Sequence, residues 1–148
     1  MGIKQLLFPE SARSLPGKRY ISLALRGLHL VGVAGTAGLF LYNLPVEQWK
    51  LYGVLALVTG TLMMVMEIWG DGVWLFQLRG QAVLLKLVLL AVALIWPSTA
   101  VHNFVAIILL SAFFSHAPGR IRYYSIWHGQ VVKALRTADG RIRDSGQL

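Results

Sequence analysis

The chain has 148 residues, of which 56% are hydrophobic and only 14% charged, with a mean hydropathy of +0.61. Soluble domains carry roughly a quarter charged residues, so a water-soluble monomer is excluded. The absence of cysteine excludes disulfide frameworks, thiolate metal sites, iron–sulfur ligation and cysteine nucleophiles. The formal charge of +8 is a property of the flanks, since twelve of the fourteen Lys and Arg lie outside the apolar runs on one side of the expected membrane plan.

The first uncharged run covers 27–44 and is extended by the apolar residues 21–25, giving the roughly 20 helical residues that a ~30 Å hydrocarbon layer requires. A span is expected at 23–42, closed by Asn43-Leu44-Pro45. A second is expected at 51–69, closed by Glu67 and Gly70-Asp71-Gly72. Residues 87–119 hold no Asp, Glu, Lys or Arg, and a single helix over them would reach about 50 Å, too long for one crossing. Trp96-Pro97-Ser98-Thr99 is the natural break, because Pro lacks a backbone donor and disfavours helix before it. Spans at 80–96 and 100–115 follow.

The expected fold is therefore all-α: a four-transmembrane-helix bundle of two antiparallel hairpins. An N-terminal interfacial segment at 1–22 would precede it and a basic aromatic tail at 116–148 would follow. Within the flanks, 2–8 reads as a small amphipathic anchor, 9–17 as a loop, 129–136 as one or two helical turns, and the remainder as a polar tail.

Lysine and arginine counts set the orientation. Lys4, Arg13, Lys18, Arg19 and Arg26 precede the first span, Arg79 lies in the middle loop, and six more follow the fourth, against Lys50 alone on the opposite side. Both termini are expected to face the cytoplasm, the protein being integral to a bacterial inner membrane. Basic flanks beside anionic headgroups account for the charge without nucleic acid. The expected partners are the lipid bilayer and other membrane subunits, or further copies of the chain.

Few polar residues enter the spans. Arg26, His29, Thr36 and Asn43 share one face of the first helix with Gly32 beside them. His29 either hydrogen-bonds across the bundle or ligates a cofactor. Gly53, Ala56, Gly60, Met64 and Glu67 form a small-residue stripe on the second helix that ends in a carboxylate. Glu67 is either solvated beside Asp71 or turned inward to Lys86, whose ammonium either snorkels or forms an intramembrane charge pair with Glu67. His102 and His116 lie near opposite ends of the fourth helix. Only His116 can share a depth with His29, so the pair His29 and His116 is the one conceivable haem-ligand set, and haem b the cofactor it would hold. Other metals lack convergent ligands. Arg120, Arg122, Tyr123, Tyr124 and Trp127 follow a Pro-Gly turn and suit either an interface with lipid or the docking of a partner.

The runs Leu28-His29-Leu30, Gly35-Thr36-Ala37-Gly38-Leu39-Phe40 and Leu84-Leu85-Lys86-Leu87-Val88-Leu89-Leu90 resemble the HemJ-type protoporphyrinogen oxidases and the broader copper-resistance-D-like group of small four-helix membrane proteins. The resemblance implies a haem-associated redox protein, with His29 and Lys86 at the positions of the family's important His and Lys. The family's Trp-Leu-His run before the Lys is here Gln81-Ala82-Val83. Two functions follow: a non-catalytic accessory or assembly subunit of a larger membrane complex, or a haem-binding or redox-associated protein of HemJ-like type.

The charge count makes a direct prediction. A phosphatase fused to the C-terminus is expected to stay inactive and a fluorescent protein fused there to glow, whereas a phosphatase inserted beside Lys50 is active; the reverse pattern would invert the topology.

Overall fold

The computed structural model describes Arg13 and residues 15–132. Four helices dominate it, each long and apolar enough to cross a bilayer. They are α1 (Lys18–Tyr42), α2 (Val46–Gly70), α3 (Leu78–Ile95) and α4 (Ala100–His116). The protein is an all-α, four-helix integral membrane protein. The expected 2–8 anchor and polar tail, and residues 133–136, lie outside the described residues.

The terminators are legible in the local chemistry. Gly17 and Asn43 bracket α1 in the left-handed region, at φ 71° and 51°. At the far end the Asn43 amide donates to the Leu39 carbonyl and the Leu44 amide to Gly38, 3.2 and 3.1 Å long, which satisfies two carbonyls of the last turn. The Leu44 side chain folds back onto Gly38, where a Cβ would meet its Cδ1 at 2.8 Å. Pro45 then opens α2 at once. The α3–α4 connection is equally short: Pro97–Thr99 forms a single 3₁₀ turn, braced by the Thr99 hydroxyl donating to the Trp96 carbonyl at 2.8 Å.

Helices α1 and α2 form the tightest contact in the molecule. A Cβ at Gly32 would lie 2.5 Å from the Ala56 backbone nitrogen, and one at Gly35 would overlap the Tyr52 side chain. Close approach of this kind replaces the hydrophobic drive that lipid cannot supply between helices. The α1–α2 hairpin meets the α3–α4 hairpin at two levels. At the loop end the Phe40 and Phe104 rings stack 4.7 Å apart at 16°, with Ala93 buried beside them. At the opposite end, where Lys18 and His116 lie, the contacts are electrostatic.

Between α2 and α3, where a loop is expected, the chain makes a 3₁₀ helix, Gly72–Phe76. Asp71 caps it by accepting from the Val73 amide at 3.0 Å. Val73 and Trp74 are buried, and Gly80 gives the Trp74 carbonyl room that any Cβ would take. After α4 a four-residue helix, α5 (Gly119–Arg122), leads into a minimal hairpin of β1 (Tyr124–Ser125) and β2 (Gln130–Val131), antiparallel with Tyr124 opposite Val131. The helical turns expected at 129–136 are thus corrected as far as residue 132. Gly129 at φ 64° reverses the chain, and two successive β-branched valines favour the extended backbone that follows.

Gly32→Leu is expected to push α1 off α2 and lower the thermal midpoint in detergent, at a cost of about 1–3 kcal/mol. Gly27→Leu, on the same helix but with open space around its Cβ position, should leave the midpoint unchanged. Equal midpoints for both variants would overturn the close approach.

Candidate functional site

Polar side chains gather at two depths. The deeper set centres on His29, about 16 Å along α1 from Lys18, half-buried against α2. Its Nδ1 lies 2.9 Å from the Ala56 carbonyl oxygen and 3.1 Å from the Thr59 hydroxyl. Because Thr59 donates its own proton to the Leu55 carbonyl at 2.6 Å, its oxygen accepts, and the His29 proton sits on Nδ1. Gly60 makes room for the ring: a methyl there would meet Cε1 at 3.0 Å. The adjacent Thr36 hydroxyl bonds within its own helix, to Gly32 at 2.7 Å.

Lys86 lies about 12 Å into α3. Its ammonium donates to the Ser111 hydroxyl of α4 at 3.1 Å, and Ser111 passes its proton to the Ile107 carbonyl at 2.8 Å. The expected Lys86–Glu67 charge pair is not formed. Glu67 sits in the last turn of α2, level with the start of α3, and its carboxylate faces Lys18 and Arg79, 3.6 Å from each. Lys86 is two turns deeper, where Ser111 is the available acceptor.

Of the expected His29–His116 ligand set, each imidazole is bonded within the bundle through its Nδ1. His116 ends α4 at the electrostatic end of the bundle, and its Nδ1 donates to Ala112 of its own helix at 2.9 Å. His102 is exposed near the loop end. Among the described residues, no three His, Asp or Glu side chains come together to hold a metal ion.

The second set closes the electrostatic end. Glu67 bridges Lys18 of α1 and Arg79 of α3, so one carboxylate ties three helices. Arg79 also donates Nε to the Gln77 side-chain oxygen at 2.7 Å, and its guanidinium carbon stands 4.8 Å from the Tyr123 ring centroid. Gln77, only 1% exposed, donates its amide to the Val132 carbonyl at 2.6 Å, which pins the C-terminal hairpin beneath the bundle. The Val132 amide in turn bonds the Tyr123 carbonyl at 2.9 Å. From α1's side, the Arg13 amide donates to Gly70 at 2.9 Å and its guanidinium lies over Trp69. Of the basic aromatic group, Arg122 and Tyr123 pack inward, whereas Arg120 and Trp127 are exposed. Gln77 and Val132 had no signal in the sequence beyond a polar residue following an aromatic turn.

Burial holds the Asp71 carboxyl above its usual range, offset in part by the Val73 amide and by Arg79. No family model matches the chain, and it has no match among curated proteins or solved structures.

A carboxyl with a raised folded-state pKa favours the folded state while protonated and loses that contribution as pH rises through its folded value. Asp71→Asn keeps an acceptor for the Val73 amide and removes the ionisation. Its thermal midpoint is therefore expected to exceed the wild type's at pH 7 and to match it below pH ~3.8, the unfolded carboxyl value. A lower midpoint at neutral pH would show instead that the charge on Asp71 stabilises the fold.

Proposed function

We propose that this protein is a non-catalytic accessory or assembly subunit of a larger membrane complex, integral to a bacterial inner membrane with both termini in the cytoplasm. The observation that carries the reading is how the polar groups inside the spans are used. His29 is bonded to α2, Lys86 to Ser111, and Asn103 to Thr99 at 2.9 Å, so each titratable or amide side chain there with a bond spends it on joining or bracing helices of its own bundle. A reaction centre would instead aim several such groups at one substrate position. The outward surfaces of α2 and α3 carry large apolar side chains, among them Leu51, Leu57, Val65 and Val88. These suit lipid or the helices of another subunit equally well. The positive flanks support the orientation.

One observation favours the haem-associated alternative. With its proton on Nδ1 and donated to a carbonyl, His29 keeps a lone pair on Nε2, the arrangement of a ligating histidine whose other nitrogen is oriented by the backbone. The resemblance to HemJ-type proteins points to the same residue. The other histidine of the expected pair, His116, spends its Nδ1 proton on Ala112 of its own helix, which likewise leaves Nε2 free to ligate.

One preparation separates the two. Photo-crosslinkers at Leu57 and Val65, introduced into the protein in its native membrane, are expected to give one discrete heterologous adduct, and the purified complex is expected to be colourless. A Soret band that disappears in His29→Ala, with no adduct from either position, would overturn the subunit reading in favour of the haem protein.

A further inference from the structure

The electrostatic end of the bundle holds more positive charge than the chain neutralises. Arg79 and Arg122 converge on a single aromatic ring, their guanidinium carbons 4.8 and 5.8 Å from the centroid of Tyr123. Like charges brought to one ring repel; among the described residues Glu67 is the carboxylate paired with either, shared by Arg79 with Lys18, while Asp71 also acts on Arg79. Among the described residues Arg122 has no ion pair, and its Nε is shielded from solvent without an acceptor. A buried donor left unmet is costly, more so on a charged group. Such orphans are rare enough in folded proteins to call for a reason. Arg79 adds to the imbalance because it occupies the first turn of α3, where the helix's own positive end disfavours a cation and favours an anion.

The fold holds this arrangement in place against its own repulsion. The Tyr123 backbone is held by its carbonyl bond from Val132, Val132 by Gln77, and Gln77 by its place at the head of α3, so the hairpin keeps the ring's point of attachment beside Arg79. The hairpin turn also carries Ile126 and Trp127 outward at 67% and 70% exposure, residues suited to the level of lipid headgroups. Two guanidinium forks on one platform, one of them without a carboxylate among the described residues, match an anion bearing several oxygens.

We propose that Arg79 and Arg122, converging on Tyr123 at the terminal end of the bundle, hold a phosphate-bearing anion, supplied by an anionic lipid headgroup or by a soluble phosphate ester. Phosphate oxygens would accept from the Arg122 fork and from the remaining Arg79 donor while the Tyr123 ring carries the guanidinium planes. The site does not rest on the subunit reading, since its residues come from this chain alone.

The test uses the full chain purified in a neutral detergent, with lipid retention measured by native mass spectrometry in phosphatidylglycerol or phosphatidylcholine, and thermal midpoints measured with inorganic phosphate. Retention of phosphatidylglycerol over phosphatidylcholine identifies the lipid as source. A midpoint raised by inorganic phosphate alone, without lipid preference, identifies a soluble ester. In either case Arg122→Gln is expected to weaken binding at least tenfold, while Arg120→Gln, the same charge change two residues away on an exposed side chain, leaves it within twofold. Should Arg122→Gln lose helical circular dichroism, Arg122→Lys against Arg120→Lys carries the comparison, with weaker binding expected only for Arg122→Lys because an ammonium lacks the fork. Equal losses at positions 120 and 122, or no binding of either probe by the wild type, would overturn the site.

Discussion

A hydrocarbon solvent offers no hydrogen bonds, so every polar group that enters it has to be met by the protein itself. In this molecule that constraint acts through the approach of α1 to α2. Gly32 and Gly35 remove the side chains that would hold the two backbones apart. The approach brings the His29 ring within bonding distance of the Ala56 carbonyl, and Gly60 leaves it the space to lie there. The histidine and the glycines are one device, because without the close approach the imidazole would face lipid. The second hairpin meets the same demand differently: a long side chain, Lys86, crosses to the Ser111 hydroxyl.

The two ends of the bundle are held by different physics. At the loop end the stacked pair Phe40 and Phe104 joins the hairpins through dispersion and ring electrostatics. At the other end a single carboxylate, Glu67, collects two cations from two helices, and the buried Gln77 extends the network to the C-terminal hairpin. Ion pairs that are about a third exposed contribute little individually. Their weight here lies in geometry, since Arg79 is at once the partner of Glu67, the neighbour of Gln77 and the cation over Tyr123. That triple role concentrates positive charge on one small platform.

The four spans were legible because their signals are local and strong: uninterrupted apolar runs of membrane length, an Asn-Leu-Pro stop, and a Trp-Pro-Ser-Thr break in a stretch too long for one crossing. The left-handed Asn43 and the 3₁₀ turn at Pro97 realise those stops in the expected places. The helical reading after Gly129 fails as far as residue 132 for an equally local reason: two successive β-branched valines close to a left-handed glycine favour extended backbone. The site was legible only as an inventory. His29, Glu67, Lys86 and Arg122 stand out by being polar in or beside apolar runs, yet nothing in their spacing says which meets which.

The sequence by itself determined the solvent, the number of crossings and the grouping into hairpins, since these follow from transfer free energies and chain length. Partner choice among the polar residues was decided only by the tertiary structure. Depth and rotation of each helix settle whether Glu67 meets Lys86 or meets Lys18 and Arg79, and both depend on where packing lets a helix begin. His29 and His116 likewise take their bonds inside the bundle, His29 from α2 and His116 from its own helix. The convergence of Arg79 and Arg122 on Tyr123 joins positions distant in sequence. It exists because Gln77 and Val132 fold the tail back under the bundle.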